Sequence, residues 1–360
     1  MDRRRFLTIG LGGGAWFAAL CALYSKFGPD NSPHRIHVEK YLQFGDRAAL
    51  EAITSNEDFY ITTKGFPPRI DMGRWRLSVD GLVEKPFSLT LEDVKALPII
   101  ERTLTLECIS NRVGGPWIGN ARWRGTALRP LLERAQPRPE AASALLHAAD
   151  GLFTGIPLDR LLAEDNFLTY EMNGEPLPVN HGYPLRVFIP GKYGMKQPKW
   201  ITRIEFTAKH QLGYWERRGW SDTAERQIQA VIDFPETRAR LPYPSARGAG
   251  HARSDRGSVD NRILLAGYAI ADAFGIRRVE LSEDDGQTWH PAEIVSNPSP
   301  YVWTFWKYDW RPSAPGKYTL QARAVNGRGE LQPQEEVDPD PEGATGYYRI
   351  QVEVIPAKES

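Results

Sequence analysis

The texture of the chain changes at about Gln227, and this change limits the architecture more than any single residue does. Upstream, residues 30–225 mix short strand and helix signals. Residues 74–82 (R-W-R-L-S-V-D-G-L) alternate like a strand and stop at a turn. Residues 89–97 predict a helix with Thr90 as its cap and Glu92 and Asp93 in its first turn; residues 126–135 predict a second. Residues 183–190 (Y-P-L-R-V-F-I-P) read as a buried strand, and the mixture predicts an α+β domain. Downstream, helix patterns fade. Residues 264–271 alternate, and residues 277–282 run through E-D-D-G-Q into T-W-H-P-A-E-I, a hairpin signal. Residues 301–306, 316–325 and 347–354 read as further strands. Strands separated by Gly/Pro turns over 226–356 predict an immunoglobulin-like β-sandwich. Residues 241–260, rich in Arg, Gly and Ser, predict a long surface loop or a partly disordered segment.

Residues 1–25 read as an export segment. Arg3, Arg4, Arg5, Phe6 and Leu7 spell R-R-x-F-L, similar to the core of a bacterial twin-arginine signal, and an apolar run follows from Ile9 to Leu23. The run is shorter than the roughly 20 apolar residues of a full span. No clear cleavage site is visible, which leaves removal and retention as an anchor both open. The expected location is the periplasm, reached in the folded state, and that route raises the expectation of a cofactor assembled before export.

Composition excludes several functions. Basic and acidic residues balance at 45 each, without a basic tail or patch, so nucleic acid is not an expected partner. No C-x-x-C-H is present, so no c-type haem is attached. There are two cysteines, and Cys21 lies in the export segment; Cys108 alone cannot build an iron–sulfur cluster. Cys108 sits in L-T-L-E-C-I-S-N-R, an apolar-to-polar run that reads as a strand end entering a loop. Taken alone it reads first as a buried bystander and second as a soft metal ligand. Its surroundings reverse that order.

Three stretches resemble the sulfite oxidase family of molybdenum enzymes, in the same order and over nearly the whole mature chain. L-E-C-I-S-N-R-V-G-G-P-W-I-G-N-A-R-W-R-G (106–125) resembles the family's cysteine segment. Y-E-M-N-G-E-P-L-P-V-N-H-G-Y-P-L-R-V-F-I-P-G-K-Y-G-M-K-Q-P-K-W (170–200) resembles its cofactor-binding core, and S-E-D-D-G-Q-T-W (282–289) its C-terminal dimerisation domain. The resemblance implies a molybdenum-molybdopterin cofactor with Cys108 as the metal-binding thiolate. It implies pterin contacts at His181, Arg186, Gln197, Pro198 and Lys199, and an acidic contact at Asp150. It also implies that Asn111 and Arg112 line the site, that Trp117 keeps a family tryptophan near the metal, and that the chain forms a homodimer. The chemistry implied is two-electron oxygen-atom transfer. With no haem motif in the chain, a separate carrier is expected, either a soluble cytochrome c or a membrane haem protein.

The catalytic surroundings depart from the family. Sulfite oxidases place an arginine in F-Y-x-R-N-H; here residues 59–64 read F-Y-I-T-T-K, with Thr62 at the arginine and Lys64 at a cofactor-contacting histidine. Val113 and Thr304 fall at two further arginines, and Trp220 at a tyrosine. A dianion near a metal needs charge-assisted donors, each worth a few kcal/mol once desolvated. Sulfite is therefore expected to be a poor substrate, and a neutral sulfoxide or N-oxide to fit at least as well. The alternatives are a sulfite dehydrogenase drawing on Lys64, Arg112, Arg122 and Lys196, a sulfoxide or N-oxide reductase, and a non-catalytic binding subunit.

Overall fold

The computed structural model describes residues 53–243, 262–296 and 299–356. The export segment and most of the expected loop at 241–260 lie outside the described residues. The chain divides into two compact units. The first comprises Ile53–Arg226 with Asp338–Ala344, and the second Gln227–Val337 with the residues from Thr345 onward.

In the first unit, β1 (Leu77–Gly81), β2 (Phe87–Leu89), α1 (Leu91–Lys95), β3 (Ile99–Glu107) and β4 (Ile118–Ala127) are followed by α2 (Leu128–Arg134). Then come β5 (Ser143–Ala148), β6 (Phe153–Pro157), α3 (Leu158–Leu161), β7 (Phe167–Met172), β8 (Glu175–Pro176), β9 (Arg186–Phe188) and β10 (Ile201–Thr207). The Thr90 side chain accepts from the Asp93 N–H while Asp93 accepts from the Thr90 N–H, a reciprocal cap that starts α1 where the sequence places it. The second helix begins later than expected. Thr126 stays in β4, because its backbone pairs with β3 at Ile99 and with β7 at Leu168, and the cap falls on Ala127. The expected strand at 183–190 shortens to β9, which pairs antiparallel with β7.

The first unit's strands form two sheets. One has the order β2-β1-β10-β5-β6, and the other is β3-β4-β7-β8 with β9 beside β7. The apolar faces of β1, β5, β9 and β10 share a core with α1 and α2, built from Leu77, Val79, Leu131, Leu146, Val187, Ile204 and their neighbours. At roughly 1.5–3 kcal/mol per buried side chain, this core holds the rigid frame from which the site loops hang.

The second unit is all β: β11 (Gln229–Phe234), β12 (Arg240–Pro242), β13 (Ile263–Ile270), β14 (Ile276–Ser282), β15 (His290–Pro291), β16 (Glu293–Ile294), β17 (Thr304–Trp310), β18 (Gly316–Asn326) and β19 (Tyr348–Ile355). Its sheets run β11-β13-β17-β16 and β12-β19-β18-β14-β15. In β19, Ile350, Val352 and Val354 point inward while Arg349, Gln351 and Glu353 alternate outward. Inward residues of both sheets, including Leu265, Trp306, Val279, Leu320 and Ile350, meet in one core, so the unit is a two-sheet sandwich. Leu241 and Pro242, assigned from sequence to the long loop, pair in parallel with Val354 and Ile355. Thr304 is fully buried at the start of β17, and its hydroxyl has no hydrogen-bond partner.

Candidate active site

Cys108 follows the last residue of β3, as its apolar-to-polar run predicts. Its N–H donates to the Trp117 carbonyl (3.0 Å), extending the β3–β4 ladder by one step. The connection beyond it folds around a single side chain. Asn111 is buried; its Nδ2 donates to Glu107 Oε1 (3.0 Å), and its Oδ1 accepts the Trp117 N–H (2.9 Å). The Asn111 N–H closes the turn on the Cys108 carbonyl (2.9 Å). Asn111 and Trp117 therefore brace the cysteine loop. Arg112 pairs with Asp338 (2.7 Å), a residue of the chain segment that returns to this unit from far downstream.

A pocket of about 870 Å³, partly open to solvent, has Cys108 in its lining. Of the residues singled out in the sequence, Cys108, Thr62, Lys64, Asp150, His181, Arg186, Gln197, Lys199 and Trp220 line it. Asn111, Arg112, Trp117 and Pro198 are not among the lining residues; the Pro198 carbonyl instead accepts the Val187 N–H (3.1 Å). The sequence reading passed over Tyr60, Ser110, Met195 and Trp215, which line the same pocket. Ser110 stands two residues after the cysteine, and Trp215 opens the W-E-R-R-G-W run already read for Trp220. Proximity to those residues was the available signal.

One wall is cationic and built on β9 and the turns around it. His181 ends a 3-10 turn at Gly182, whose φ of +120° lets the chain reverse; a Cβ there would come within 3.1 Å of Arg186 Cβ. The Asn56 carbonyl lies 3.1 Å from His181 Nε2 and can only accept, so Nε2 carries the proton and Nδ1 remains an acceptor. Burial, reinforced by Arg186 and Lys199, lowers the His181 pKa to about 4, so the ring is neutral at neutral pH.

Arg186 is buried, with Nη1 on the His181 carbonyl (3.1 Å) and Nη2 on the Gln197 carbonyl (3.5 Å). Its guanidinium lies 5.3 Å from the Trp123 ring and 4.7 Å from the Phe188 ring. Its Nε has no partner, and among the described residues no carboxylate forms an ion pair with it. Burial pulls its pKa down to about 10. Lys199 Nζ donates to the Thr62 and Asn180 carbonyls, each at 2.9 Å, and burial with Arg186 lowers its pKa to about 7. Gln197 is turned to the backbone, donating to the Lys192 carbonyl (2.6 Å) and accepting from the Ile189 N–H (3.3 Å). Lys64 Nζ sits 4.8 Å from the Tyr214 ring centroid, and Asp150 accepts the Leu152 N–H (2.9 Å).

The other wall is apolar. Ile109 and Met195 pack with Tyr193 and Ala224, and Trp215 and Trp220 lie against them. Burial raises the Cys108 thiol pKa, while hydrogen bonds from the Ser110 N–H, the Ser110 hydroxyl and the Thr62 hydroxyl oppose that rise. Burial and then Cys108 push the Tyr60 phenol well above its usual range.

This arrangement can hold an anion on one wall and a soft metal at the sulfur. Among the described residues no group of three His, Cys, Asp or Glu side chains converges to bind a metal. An anionic ligand is what a buried, carboxylate-free guanidinium calls for.

The comparisons with known proteins agree with this chemistry. Residues 64–215 match the family described as "Oxidoreductase molybdopterin binding domain", and residues 228–355 match the "Mo-co oxidoreductase dimerisation domain". The chain is 41% identical over 150 residues to the uncharacterized oxidoreductase YuiH of Bacillus subtilis, covering 42% of this chain and 74% of that protein. It is 29% identical over 346 residues to the mitochondrial sulfite oxidase of Drosophila melanogaster, covering 85% of this chain and 60% of the relative. The rat mitochondrial sulfite oxidase is 27% identical over 339 residues, 84% of this chain and 62% of its own. The chain thus spans about 60% of the length of these sulfite oxidases. Among solved structures, the sulfane dehydrogenase SoxCD from Paracoccus pantotrophus superposes with a TM-score of 0.67 at 23% identity, over 82% of this chain and 80% of that one, a likeness of fold.

Proposed function

Because the chain belongs to the sulfite oxidase family of molybdopterin-dependent oxidoreductases, we propose that it transfers an oxygen atom to or from a small substrate other than sulfite, in the periplasm, and exchanges electrons with a separate haem protein. The observation that carries this reading is Arg186. A buried cation with an unpartnered Nε and no carboxylate, on the wall of the pocket that holds Cys108, fits a phosphate-bearing cofactor whose metal takes the thiolate. When bound, the molybdenum-molybdopterin cofactor supplies the two-electron redox centre for oxygen-atom transfer.

The chain's own residues do the rest. Cys108 offers a soft sulfur donor at a strand end fixed by Asn111. Arg186 and Lys199 supply positive charge to an anionic group, and neutral His181 adds a hydrogen-bonding ring without a third charge. Trp215 and Trp220, backed by Ile109 and Met195, keep water off the apolar side.

The exclusion of sulfite rests on the cations proposed to replace the missing arginines. Of Lys64, Arg112, Arg122 and Lys196, only Lys64 lines the pocket. Arg112 is paired with Asp338, Arg122 is exposed, and Lys196 is buried against Glu216 and Asp222. An uncharged oxide such as a sulfoxide or N-oxide suits the apolar wall better than a dianion does. The expectation of export rests on the R-R-x-F-L run, and the dimerisation-domain match supports a homodimer.

The test combines molybdenum analysis with turnover. Purified protein should carry molybdenum, reduce a sulfoxide or N-oxide faster than it oxidises sulfite, and lose nearly all turnover in Cys108→Ser. Fast sulfite oxidation at micromolar affinity would sink the substrate reading. Unchanged function in Cys108→Ser would favour a binding subunit.

A further inference from the structure

We propose that residues 338–344, which return to the first unit from far downstream, seat the wall that carries Trp215 and Trp220 and so set how wide the pocket stands for the apolar part of a substrate. The inference rests on the proposed reading of this pocket as the substrate site. It names Glu342 and Gly343 as positioning residues, because none of residues 338–344 lines the pocket itself.

Trp215 and Trp220 sit on one short loop, which the Trp220 N–H closes on the Trp215 carbonyl (3.3 Å). Glu216 and Asp222 tie that loop to Lys196, whose neighbours Met195 and Gln197 line the pocket. The downstream segment holds it separately. Ser221, next to Trp220, is buried; its N–H donates to the Pro341 carbonyl (3.1 Å), and its hydroxyl donates to the Glu342 carboxylate. The same hydroxyl accepts the Ala224 N–H (2.9 Å), so the bond to Glu342 also fixes the turn after Trp220. At Gly343 φ is +89°, and a Cβ there would fall 2.5 Å from the Tyr193 hydroxyl. The segment's backbone therefore lies directly on the buried Tyr193 ring, which packs with Ile109, Met195 and Ala224 in the cluster that supports both tryptophans. Asp338 adds its pair with Arg112, which is partly exposed and contributes little. The segment is itself braced: the Gly343 N–H donates to the Pro339 carbonyl (2.7 Å), and Val337 and Thr345 at its ends exchange both backbone hydrogen bonds (3.3 and 3.2 Å).

The physical consequence follows from how the two sides of the pocket are held. Side chains on a short loop move with its backbone, so the indoles stand where Ser221 and Tyr193 are seated. Cys108 is held separately, by its step of the β3–β4 ladder and by the Asn111 brace. Loosening the tryptophan loop is therefore felt by a substrate's apolar group before it is felt at the sulfur. In a hydrophobic pocket one methylene changes selectivity by roughly ten- to two-hundred-fold, so a small displacement of an indole is enough to change which oxide fits.

The test uses the purified holoenzyme and three variants. Glu342→Ala removes the acceptor for Ser221, Glu342→Gln keeps one, and Gly343→Ala pushes the segment off Tyr193. Hydrogen exchange over residues 214–224, molybdenum content, and kcat and KM for dimethyl sulfoxide and methyl phenyl sulfoxide are measured on the same samples. In Glu342→Ala, exchange over 214–224 should speed up. The ratio of kcat/KM values should shift toward the bulkier sulfoxide by about tenfold, through KM, with kcat and molybdenum at wild-type levels. Glu342→Gln should match the wild type, and Gly343→Ala should exceed Glu342→Ala. Should Gly343→Ala fail to fold, Glu342→Ala decides alone, because Glu342 is exposed and its substitution leaves the core intact. Unchanged exchange and an unchanged ratio in Glu342→Ala overturn this inference alone. An equal fall in kcat for both sulfoxides at an unchanged ratio would show a structural role only and overturns it too. Wild-type protein that turns over neither sulfoxide overturns the substrate reading and, with it, the role in specificity.

Discussion

Lys196 and Arg186 are both buried cations in the first unit, ten residues apart in sequence, and their surroundings are opposite. Lys196 Nζ meets Glu216 Oε1, Asp222 Oδ1 (3.2 Å) and the Gly155 carbonyl (3.1 Å), and Thr154 donates to the same Glu216 oxygen. Arg186 meets carbonyls and aromatic rings but no carboxylate. A buried cation matched by acids within the chain is part of the scaffold. One left without an acid is a standing cost that an external anion can offset. The second unit sharpens the contrast: its buried polar residues, Gln229, Ser282, Thr304, Gln321, Asn326 and Gln332, are all uncharged. Among the described residues, charge is buried only in the unit that holds the pocket.

The difference can be broken by paired substitutions. Lys196→Met should cost about 3–5 kcal/mol of stability, because it leaves Glu216 charged and unpaired. Chemical denaturation with and without the cofactor should show the same loss. Arg186→Met should act the other way. The cofactor-free chain should unfold no more easily than wild type, while cofactor retention should weaken by about 1.5–3 kcal/mol, the worth of a hydrogen bond to a charged group. Equal destabilisation of the cofactor-free chain by both substitutions would erase the distinction.

A smaller effect belongs to His181. Its folded pKa of about 4 lies below the ordinary value of 6.5, so the unfolded chain binds the proton more readily. The contribution is fully present above pH 6.5 and is lost as pH falls toward 4. At pH 5.5 the loss is about 1.4 kcal/mol by linkage from those two values. The pH dependence of unfolding for wild type, minus that for His181→Gln, isolates it. A difference that stays flat from pH 7.5 to 5.5 would show that the histidine is not buried in neutral form.

Much of the fold was legible because it is local. The Thr90–Asp93 cap, the alternation in β19 and the end of β3 before Cys108 each depend on residues a few positions apart, and the sequence displays them directly. The short β9 was overestimated because a run of apolar residues marks burial without marking which of them pair. Around the site, neighbours of the cysteine were expected in the pocket, yet Asn111 turns inward as the loop's brace and Arg112 turns to Asp338.

By itself the sequence determined the composition of the site: one thiol at a strand end, a histidine, an arginine and a lysine at fixed short spacings, and a β-rich second half. The tertiary structure decided which of those groups are paired. Glu216 and Asp222 neutralise Lys196 rather than Arg186, Asp338 takes Arg112, and Thr62 joins Cys108 in the pocket lining from a separate segment. Residue type and spacing set what a side chain is able to do. Charge matching and hydrogen bonding act over a few ångströms in space, and only the folded chain fixes which distant residues come that close.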